Sequence, residues 1–495
     1  MKKHFINHSL FSILFITINF ICVPILKSSQ DESLKYFTVR SGSDLCREEK
    51  IYIDQRKKHV RAKLETLCDT KLTTEHVPTI AICCSGGGFR AMFATLGFIS
   101  GAAETGLLDY VTYAAFLSGS SWFSTSWILS KKPIELFKND LLSSGEGGLF
   151  RNSKTAINAY KNLIHIKKTY HQPTSLVDLY GCLIANKILA YCGNQRFDVP
   201  FSECAKTIDS KLLPFPISTA VYLSEQNEYE WMEFSPYEIG SPHLNTFIPS
   251  AAFGKTFHNG NSNDDIPSET TSRLLGIFGN VFSGGLRDLI DHLPDLSHNI
   301  KKLTLYKKIK EIVKYSPTCN NKFSPSNIPN FGRGLASCPL NKKRYLTLID
   351  SGFIGKIPAP ILLRKERTVD IILVFDASFT KNKHQNALFL AKKQAFAKGL
   401  KFPPIDIKKI CNETLSIFED PLDQSCPIVL YLPLRQNTDF DPYSNKFCRS
   451  ICNFNYPTTQ ATKLCNFAHD LIINPAHQNT IQEVIKRVIF AKKHH

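Results

Sequence analysis

The chain of 495 residues contains no sustained low-complexity block, no heptad array and no repeat of fixed period. These absences argue against a disordered tract, a coiled coil and a solenoid. Its 26 prolines and 25 glycines are scattered along the chain. With 43% hydrophobic residues, the chain is long enough to bury one large catalytic domain or two to three smaller ones. We therefore expect a folded, enzyme-like protein.

Acidic residues are the scarcer charge, with 43 Asp and Glu against 60 Lys and Arg, which gives a formal charge of +17. Such an excess fits either a lysine-rich surface that aids solubility or attraction to a polyanion. Motifs for nucleic acid are missing, because there is no zinc-finger spacing and no RNP-type aromatic pattern. The charge therefore favours an anionic membrane surface over nucleic acid as a partner. The sequence does not predict an oligomeric state.

The N-terminus has the pattern of a targeting segment. Lys2 and Lys3 precede an apolar run over residues 10–26, as in a secretory signal. The run is marginal for a membrane-spanning helix, and Lys27 follows where small residues would mark cleavage. We predict that residues 1–29 are a signal peptide or an uncleaved signal anchor, with a buried helix as the third interpretation. Residues 30–495 are then one catalytic domain, secreted or held in the secretory pathway.

Fourteen of the fifteen cysteines lie outside this segment, an even number that predicts disulfide bonds in a secreted protein. Cys83 and Cys84 are the exception, because they lie in an apolar run and fit free thiols of the core. One glycosylation sequon, Asn412-Glu413-Thr414, remains after the signal. A secreted glycoprotein is the expectation.

A zinc site is the rival interpretation for the C-terminal cysteines. Cys448, Cys452 and Cys465 have a spacing that resembles a metal site, and His469 follows three residues after the last of them. The set lacks a convincing fourth ligand. We predict no metal here.

Two strand–turn–helix units follow each other between residues 78 and 130. The apolar run 78–84 predicts a buried strand, SGGG over 85–88 a turn, and the spacing of 90–105 a helix. A second buried strand over 111–117 leads into Ser118 and another helix. This order predicts an α/β fold with a mixed, largely parallel central sheet flanked by helices.

The glycine turn and Ser118 carry the first chemical hypothesis. A glycine turn at the start of a helix exposes N–H groups that suit a phosphate or a developing oxyanion, although a purely structural turn has the same pattern. No Gly-Lys-Ser/Thr ending follows, which excludes a P-loop. A serine at a strand-to-helix turn is either a helix cap or an exposed nucleophile. Adjacent parallel strands would bring both turns to the same edge of the sheet.

Asp350 ends another predicted strand, over 345–350, and is followed by Ser351 and Gly352. A carboxylate in this place can accept the proton of a serine, and it can equally form a turn.

The sequence resembles the catalytic domain shared by cytosolic phospholipase A2 and the fungal lysophospholipases. The resemblance extends from about residue 45 to at least residue 380. The matching motifs, in family order, are SGGGFRAM (85–92), GLLDYVTYAAFLSGSSW (106–122), SLVDLYG (175–181), PFPISTAVY (214–222), EYEWMEFSPYEIGS (228–241), LLGIFGNVFS (274–283) and LIDSGFIGKIP (348–358).

The resemblance implies a patatin/cytosolic-phospholipase-like acyl hydrolase with a Ser–Asp dyad and no histidine base. Ser118 falls at the nucleophile and Asp350 at the general base. Gly87 and Gly88 fall at the oxyanion hole, and Arg90 at the arginine that meets the substrate phosphate. The implied substrate is a phospholipid or lysophospholipid, cleaved through an acyl-serine without a metal or cofactor.

Two positions depart from the family pattern. Phe116 replaces a glycine two residues before the nucleophile, and Lys356 replaces an asparagine after the aspartate. Phe116 is the reason to keep a catalytically impaired lipid-binding relative as an alternative. A hydrolase of other esters or peptides is a second, separate alternative. Residues 299–314 predict a basic amphipathic helix that suits either an anionic interface or an ordinary protein surface.

Overall fold

A mixed β-sheet runs through the protein. The computed structural model describes residues 36–262, 266–280, 326–378, 386–435 and 453–494. The predicted targeting segment (1–29), the predicted amphipathic helix (299–314) and two of the clustered cysteines, Cys448 and Cys452, lie outside these residues. None of the described helices is both long and apolar enough to cross a bilayer.

The strands of the described residues vary from two to nine residues in length. They are β1 (Arg40–Ser41), β2 (Ile80–Cys84), β3 (Tyr113–Leu117), β4 (Phe215–Leu223), β5 (Tyr229–Phe234), β6 (Glu238–Ser241), β7 (Thr246–Pro249), β8 (Phe257–His258), β9 (Asn261–Ser262), β10 (Ser326–Pro329), β11 (Tyr345–Ile349), β12 (Ile371–Asp376), β13 (Ser416–Phe418) and β14 (Ile428–Pro433).

The α-helices of the described residues connect and cover these strands. They are α1 (Arg47–Cys68), α2 (Gly88–Glu104), α3 (Gly119–Ser130), α4 (Ile134–Ser144), α5 (Lys154–Thr169), α6 (Leu176–Ile188), α7 (Glu203–Thr207), α8 (Thr271–Phe278), α9 (Ala359–Leu362), α10 (Ala387–Ala397), α11 (Ile407–Asn412), α12 (Thr458–Ile473) and α13 (Pro475–His494).

The main sheet has the strand order β1-β7-β6-β5-β4-β3-β2-β12-β14-β13. Its centre, from β4 through β3, β2 and β12 to β14, is parallel. The strands on the β5 side pair antiparallel, and β11 pairs antiparallel with β4. The predicted α/β class with a mixed sheet and a parallel core is therefore confirmed.

The central strands are buried on both faces, which explains their uninterrupted apolar sequences. Every residue of β2 and β3 is buried. Neighbouring residues point to opposite faces, so Cys84 belongs to the core cluster on one side of the sheet and Cys83 to the cluster on the other. The predictions of buried strands over 78–84 and 111–117 are confirmed, with both strands starting two residues later.

Helix α2 crosses α12 at very short distance because glycines face the crossing. A methyl group at Gly97 would lie 2.0 Å from the carbonyl oxygen of Cys465, and one at Gly101 would lie 2.9 Å from Ile472. The close packing holds α2 in the interior, where almost all of its residues are buried. The N-terminus of α2, which carries the glycine turn, is thereby held in a fixed place.

The disulfide prediction is not supported within the described residues, where eleven cysteines are free. Many of them are apolar core residues; burial raises the pKa of the Cys83 and Cys84 thiols, as predicted for free core cysteines. The four remaining cysteines lie outside the described residues. His469 contacts Glu104 at 2.8 Å, while Cys465 is buried against α2.

Candidate active site

Ser118 occupies a sharp turn between β3 and α3. Its backbone has φ 55° and ψ −119°, a conformation that non-glycine residues rarely adopt and that is typical of a strained nucleophile turn. The Ser118 side chain makes no cap to α3. The hydroxyl of Ser120 instead holds the turn: it accepts from the Leu117 N–H at 2.7 Å and lies 3.1 Å from the Cys84 carbonyl oxygen at the end of β2.

Strand β11 brings Asp350 to this turn from the opposite direction. The last pair between β3 and β4 is Leu117 with Thr219, and the last pair between β11 and β4 is Ile349 with Val221. Since β5 covers the other edge of β4 here, β3 and β11 share one edge and approach each other end to end. The residues that follow each strand, Ser118 and Asp350, therefore meet.

The hydroxyl of Ser118 donates a hydrogen bond of 2.8 Å to Oδ2 of Asp350. The other oxygen, Oδ1, accepts from the N–H of Gly352 at 2.7 Å. Asp350 is completely buried, and burial raises its pKa to about 7, although both hydrogen bonds favour the charged form. The partner of Ser118 among the described residues is thus a carboxylate and not a histidine.

The glycine turn lies beside the dyad and is fixed by main-chain hydrogen bonds. The N–H of Ser85 donates to the carbonyl oxygen of Phe375, and the N–H of Gly86 donates to that of Lys356 at 2.9 Å. Gly87 and Gly88 have φ of 144° and 62°, which a side chain would strain. The turn therefore requires glycine for its conformation.

Gly119 brings the glycine turn and the serine turn into contact. A methyl group at position 119 would lie 1.9 Å from the carbonyl oxygen of Gly88 and 3.1 Å from its nitrogen. A methyl group at Gly86 would similarly lie 3.0 Å from Cβ of Ser118. The N–H groups at the start of α2 are consequently close to the nucleophile candidate, as an oxyanion hole requires.

A narrow cavity of about 40 Å³ opens onto Ser118. This space holds no more than a few water molecules. Small and aromatic residues form most of its wall, together with one lysine. They are Gly86, Gly87, Gly88, Ser118, Trp122, Tyr180, Gly279, Gly352, Lys356 and Phe454.

The sequence profile described as the lysophospholipase catalytic domain matches residues 80–405 of the chain, a span that contains Ser118, Asp350 and the glycine turn. This chain belongs to that family.

Relatives of known identity agree with this membership. The chain is 27% identical to cytosolic phospholipase A2 zeta of Mus musculus over 474 residues, covering 81% of this chain and 54% of the relative. The Homo sapiens counterpart is also 27% identical, over 470 residues, with the same coverage. The chain spans about half the length of these relatives.

Solved structures show the same fold. Human GIVD cytosolic phospholipase A2 matches with a TM-score of 0.76 at 22% identity, covering 92% of this chain and 68% of that one. The same human protein in complex with methyl gamma-linolenyl fluorophosphonate matches with a TM-score of 0.71 at 21% identity, covering 93% and 66%.

In this lysophospholipase-family chain, Arg90 lies in the first turn of α2 and is 4% exposed. A methyl group at Gly87 would lie 2.7 Å from Nη2 of Arg90, so the guanidinium folds back over the glycine turn. The structure therefore places Arg90 next to the turn, whereas the role of this arginine stays a prediction.

Phe116 is not one of the residues that line the cavity at Ser118. Its side chain is buried in the core, with the ring centroid 6.4 Å from that of Phe123. Its carbonyl oxygen accepts from the Thr219 hydroxyl at 3.1 Å. The bulky residue thus packs against α3, and the alternative of an impaired relative loses the observation that supported it.

Sequence reasoning missed the aromatic wall and one carboxylate near the site. Trp122 and Tyr180 lie inside quoted motifs, but a motif does not say which face of a helix reaches the cavity. Phe454 lies outside every motif quoted above. Asp376 ends β12 next to the glycine turn and accepts from the hydroxyl of Tyr431 at 2.6 Å. Its position in an apolar strand end, like that of Asp350, was the available signal.

Proposed function

We propose that this chain hydrolyses fatty-acyl esters of lysophospholipids and phospholipids through a Ser118–Asp350 dyad and an acyl-serine intermediate. The observation that carries the proposal is the 2.8 Å hydrogen bond from Ser118 to buried Asp350 beside the glycine turn. Family membership and the names of the relatives, phospholipases A2, supply the substrate class.

In the first step Asp350 takes the proton of Ser118 while Oγ attacks the ester carbonyl. The N–H groups of Gly87 and Gly88 stabilise the oxyanion, and the loss of one such donor costs roughly 3–4 kcal/mol of barrier. The ester C–O bond then breaks, and the leaving alcohol takes the proton back from Asp350. Water, deprotonated by the same carboxylate, releases the fatty acid and restores Ser118.

A carboxylate suits this task here because burial has raised its pKa to about 7. A general base works best when its pKa lies near the working pH, since a weaker base holds the serine proton too poorly. An ordinary exposed aspartate has a pKa near 3.9. Asp350 is therefore a far stronger base than its residue type suggests.

The substrate must enlarge the cavity. A volume of about 40 Å³ cannot hold a fatty-acyl chain, so we propose that Trp122, Tyr180 and Phe454 separate when lipid enters. Arg90 would meet the phosphate, since a guanidinium pairs well with phosphate oxygens.

The test is Ser118→Ala, assayed on a lysophospholipid, a diacyl phospholipid and short esters. We expect activity on the lipids to fall at least about a thousandfold. Ser121→Ala is the matched control, because the buried hydroxyl of Ser121 has no hydrogen-bond partner in the described part of the chain. A fluorophosphonate should label the wild type and the control but not Ser118→Ala.

Lipid hydrolysis by purified Ser118→Ala would refute the nucleophile assignment. A wild type that the fluorophosphonate does not label, and that releases no fatty acid, would favour a lipid-binding protein. A preference for esters without phosphate would remove Arg90 from its proposed role.

We also propose that the protein enters the secretory pathway and works at an anionic membrane surface, on the basis of residues 1–29 and the charge of +17. Asn412 is exposed at the end of α11, so the sequon is accessible. A mass decrease on glycosidase treatment, absent in Asn412→Gln, is the expected result. A protein that stays in the cytosol would refute the proposal.

A further inference from the structure

Lys356 borders the cavity that contains Ser118, whereas Arg90 lies over the glycine turn that forms part of the cavity wall. Lys356 follows the Asp350 turn and is half-buried. Its carbonyl oxygen accepts the N–H of Gly86 at 2.9 Å, so its backbone is tied to the glycine turn. Lys356 therefore has a defined place between the dyad and the proposed oxyanion donors.

The amine of Lys356 is close enough to both Asp376 and Arg90 to interact with their charges. Burial lowers the pKa of Lys356, repulsion from Arg90 lowers it further, and attraction to Asp376 raises it. Asp376 is itself held in position, because its oxygens accept from Ser378 N–H at 2.7 Å and from the hydroxyl of Tyr431. Lys356 thus has the anchored carboxylate of Asp376 and the guanidinium of Arg90 as charged neighbours.

Two like charges near each other in a poorly hydrated site repel, and an anionic ligand that contacts both removes that cost. A phosphate offers oxygens to a guanidinium and to an ammonium at once. The position of the pair next to the glycine turn means that the phosphate would be bound while the ester carbonyl reaches Ser118.

We propose that Lys356 is a specificity-determining residue that binds the substrate phosphate together with Arg90, so that the protein selects acyl esters with an anionic headgroup over uncharged ones. This inference rests on the proposed function. The competing interpretation is that Lys356 only neutralises Asp376 and has no contact with substrate.

The test compares two monomeric substrates with the same acyl chain, a lysophospholipid and a monoacylglycerol. Lys356→Met removes the charge and keeps the chain length. Because a hydrogen bond to a charged group is lost, we expect KM for the lysophospholipid to rise about tenfold or more at nearly unchanged kcat. KM for the monoacylglycerol should stay the same, and Lys356→Arg should restore the phosphate preference.

Lys57→Met is the matched control. Lys57 is also half-buried with a pKa lowered by burial, but it lies in α1 near Tyr113, at the opposite end of β3 from Ser118. We expect Lys57→Met to leave KM unchanged for both substrates. If Lys356→Met does not fold, Lys356→Gln keeps a hydrogen-bonding group beside Asp376 and gives the same comparison.

An equal loss on both substrates, or no change on either, would overturn the role of Lys356 while leaving the dyad in place. A wild type that cleaves the monoacylglycerol and the lysophospholipid equally well would overturn it too. A wild type that cleaves neither would overturn the proposed function, and the role of Lys356 with it.

Discussion

Two aspartates of this protein are equally buried but differ in ionisation. Asp350 is 0% exposed and Asp178 is 1% exposed. Burial raises the pKa of Asp350 to about 7. The pKa of Asp178 is below its ordinary value, even though burial is the largest single influence on it as well.

The difference lies in the neighbours. Asp178, in the first turn of α6, accepts from Nζ of Lys167 at 2.7 Å and forms an ion pair with Nε of Arg273 at 3.2 Å. Within the described residues, Asp350 accepts from neutral donors alone, the Ser118 hydroxyl and the Gly352 N–H. Cations compensate the lost hydration of a carboxylate, whereas neutral hydrogen bonds compensate it only in part.

The comparison separates a carboxylate that holds the structure from one that can exchange a proton. Asp178 joins three helices, since Lys167 lies in α5 and Arg273 in α8. Two residues after Asp178, Tyr180 forms part of the cavity wall. Asp178, which has cationic partners, therefore supports the wall of the site in which we propose that Asp350 acts.

Asp350→Asn should have the largest effect. We expect a loss of about 10⁴-fold in kcat, because an amide cannot accept the serine proton. Asp350 binds a proton more tightly in the folded chain than in the unfolded one, so wild-type stability falls as the pH rises from about 4 to 7. The variant lacks this penalty, and its free energy of unfolding at pH 8 should not fall below that of the wild type. If Asp350→Asn is less stable than the wild type, the carboxylate of Asp350 also has a structural role, which would contradict the comparison with Asp178.

Asp178→Asn should give the converse result. It leaves Lys167 buried without its carboxylate, which typically costs about 3–5 kcal/mol in the free energy of unfolding. Denaturant unfolding measures this loss. The control is Asp140→Asn, because Asp140 pairs with Lys132 on the surface and its loss should cost less than about 1 kcal/mol. Equal effects of the two variants would show that buried Asp178 stabilises the fold no more than a surface ion pair does.

The pH dependence is the subtlest test. Below its pKa Asp350 is protonated and cannot act as a base, so kcat/KM should fall about tenfold per pH unit below roughly pH 7. Asp178 should stay ionised through this range, because its pKa is lowered. Its stability contribution disappears only under more acidic conditions. A rate profile that falls near pH 4 would show that Asp350 is not the base or is not buried during catalysis.

The sequence predicted the parts of this site better than their assembly. Apolar runs over 78–84 and 111–117 correspond to central strands that are buried on both faces, and the run 345–350 corresponds to β11, whose residues alternate between buried and half-buried. The helix predicted over 90–105 begins two residues earlier, at Gly88. Local sequence patterns do not show that β11 meets β3 end to end along β4. This meeting brings Ser118 into contact with Asp350, 232 residues later in the chain.

Local sequence patterns also cannot predict the charged neighbours of Asp178 and Lys356. Lys167, Asp178 and Arg273 come from separate helices, and their charges say nothing in sequence about whether they are solvated or paired. In the sequence, Lys356 is visible only as a departure from a family pattern. Its relation to Arg90 and Asp376 depends on β12 lying beside β2, which no motif encodes.

The contact between Gly119 and the Gly88 carbonyl has a consequence for inhibitor chemistry. Because no atom can be added there, the two turns cannot move closer together around an electrophile bound to Ser118. A reactive warhead aimed at Ser118 therefore has to be small. We expect selectivity to come from the tail of the compound, which would meet the aromatic wall formed by Trp122, Tyr180 and Phe454.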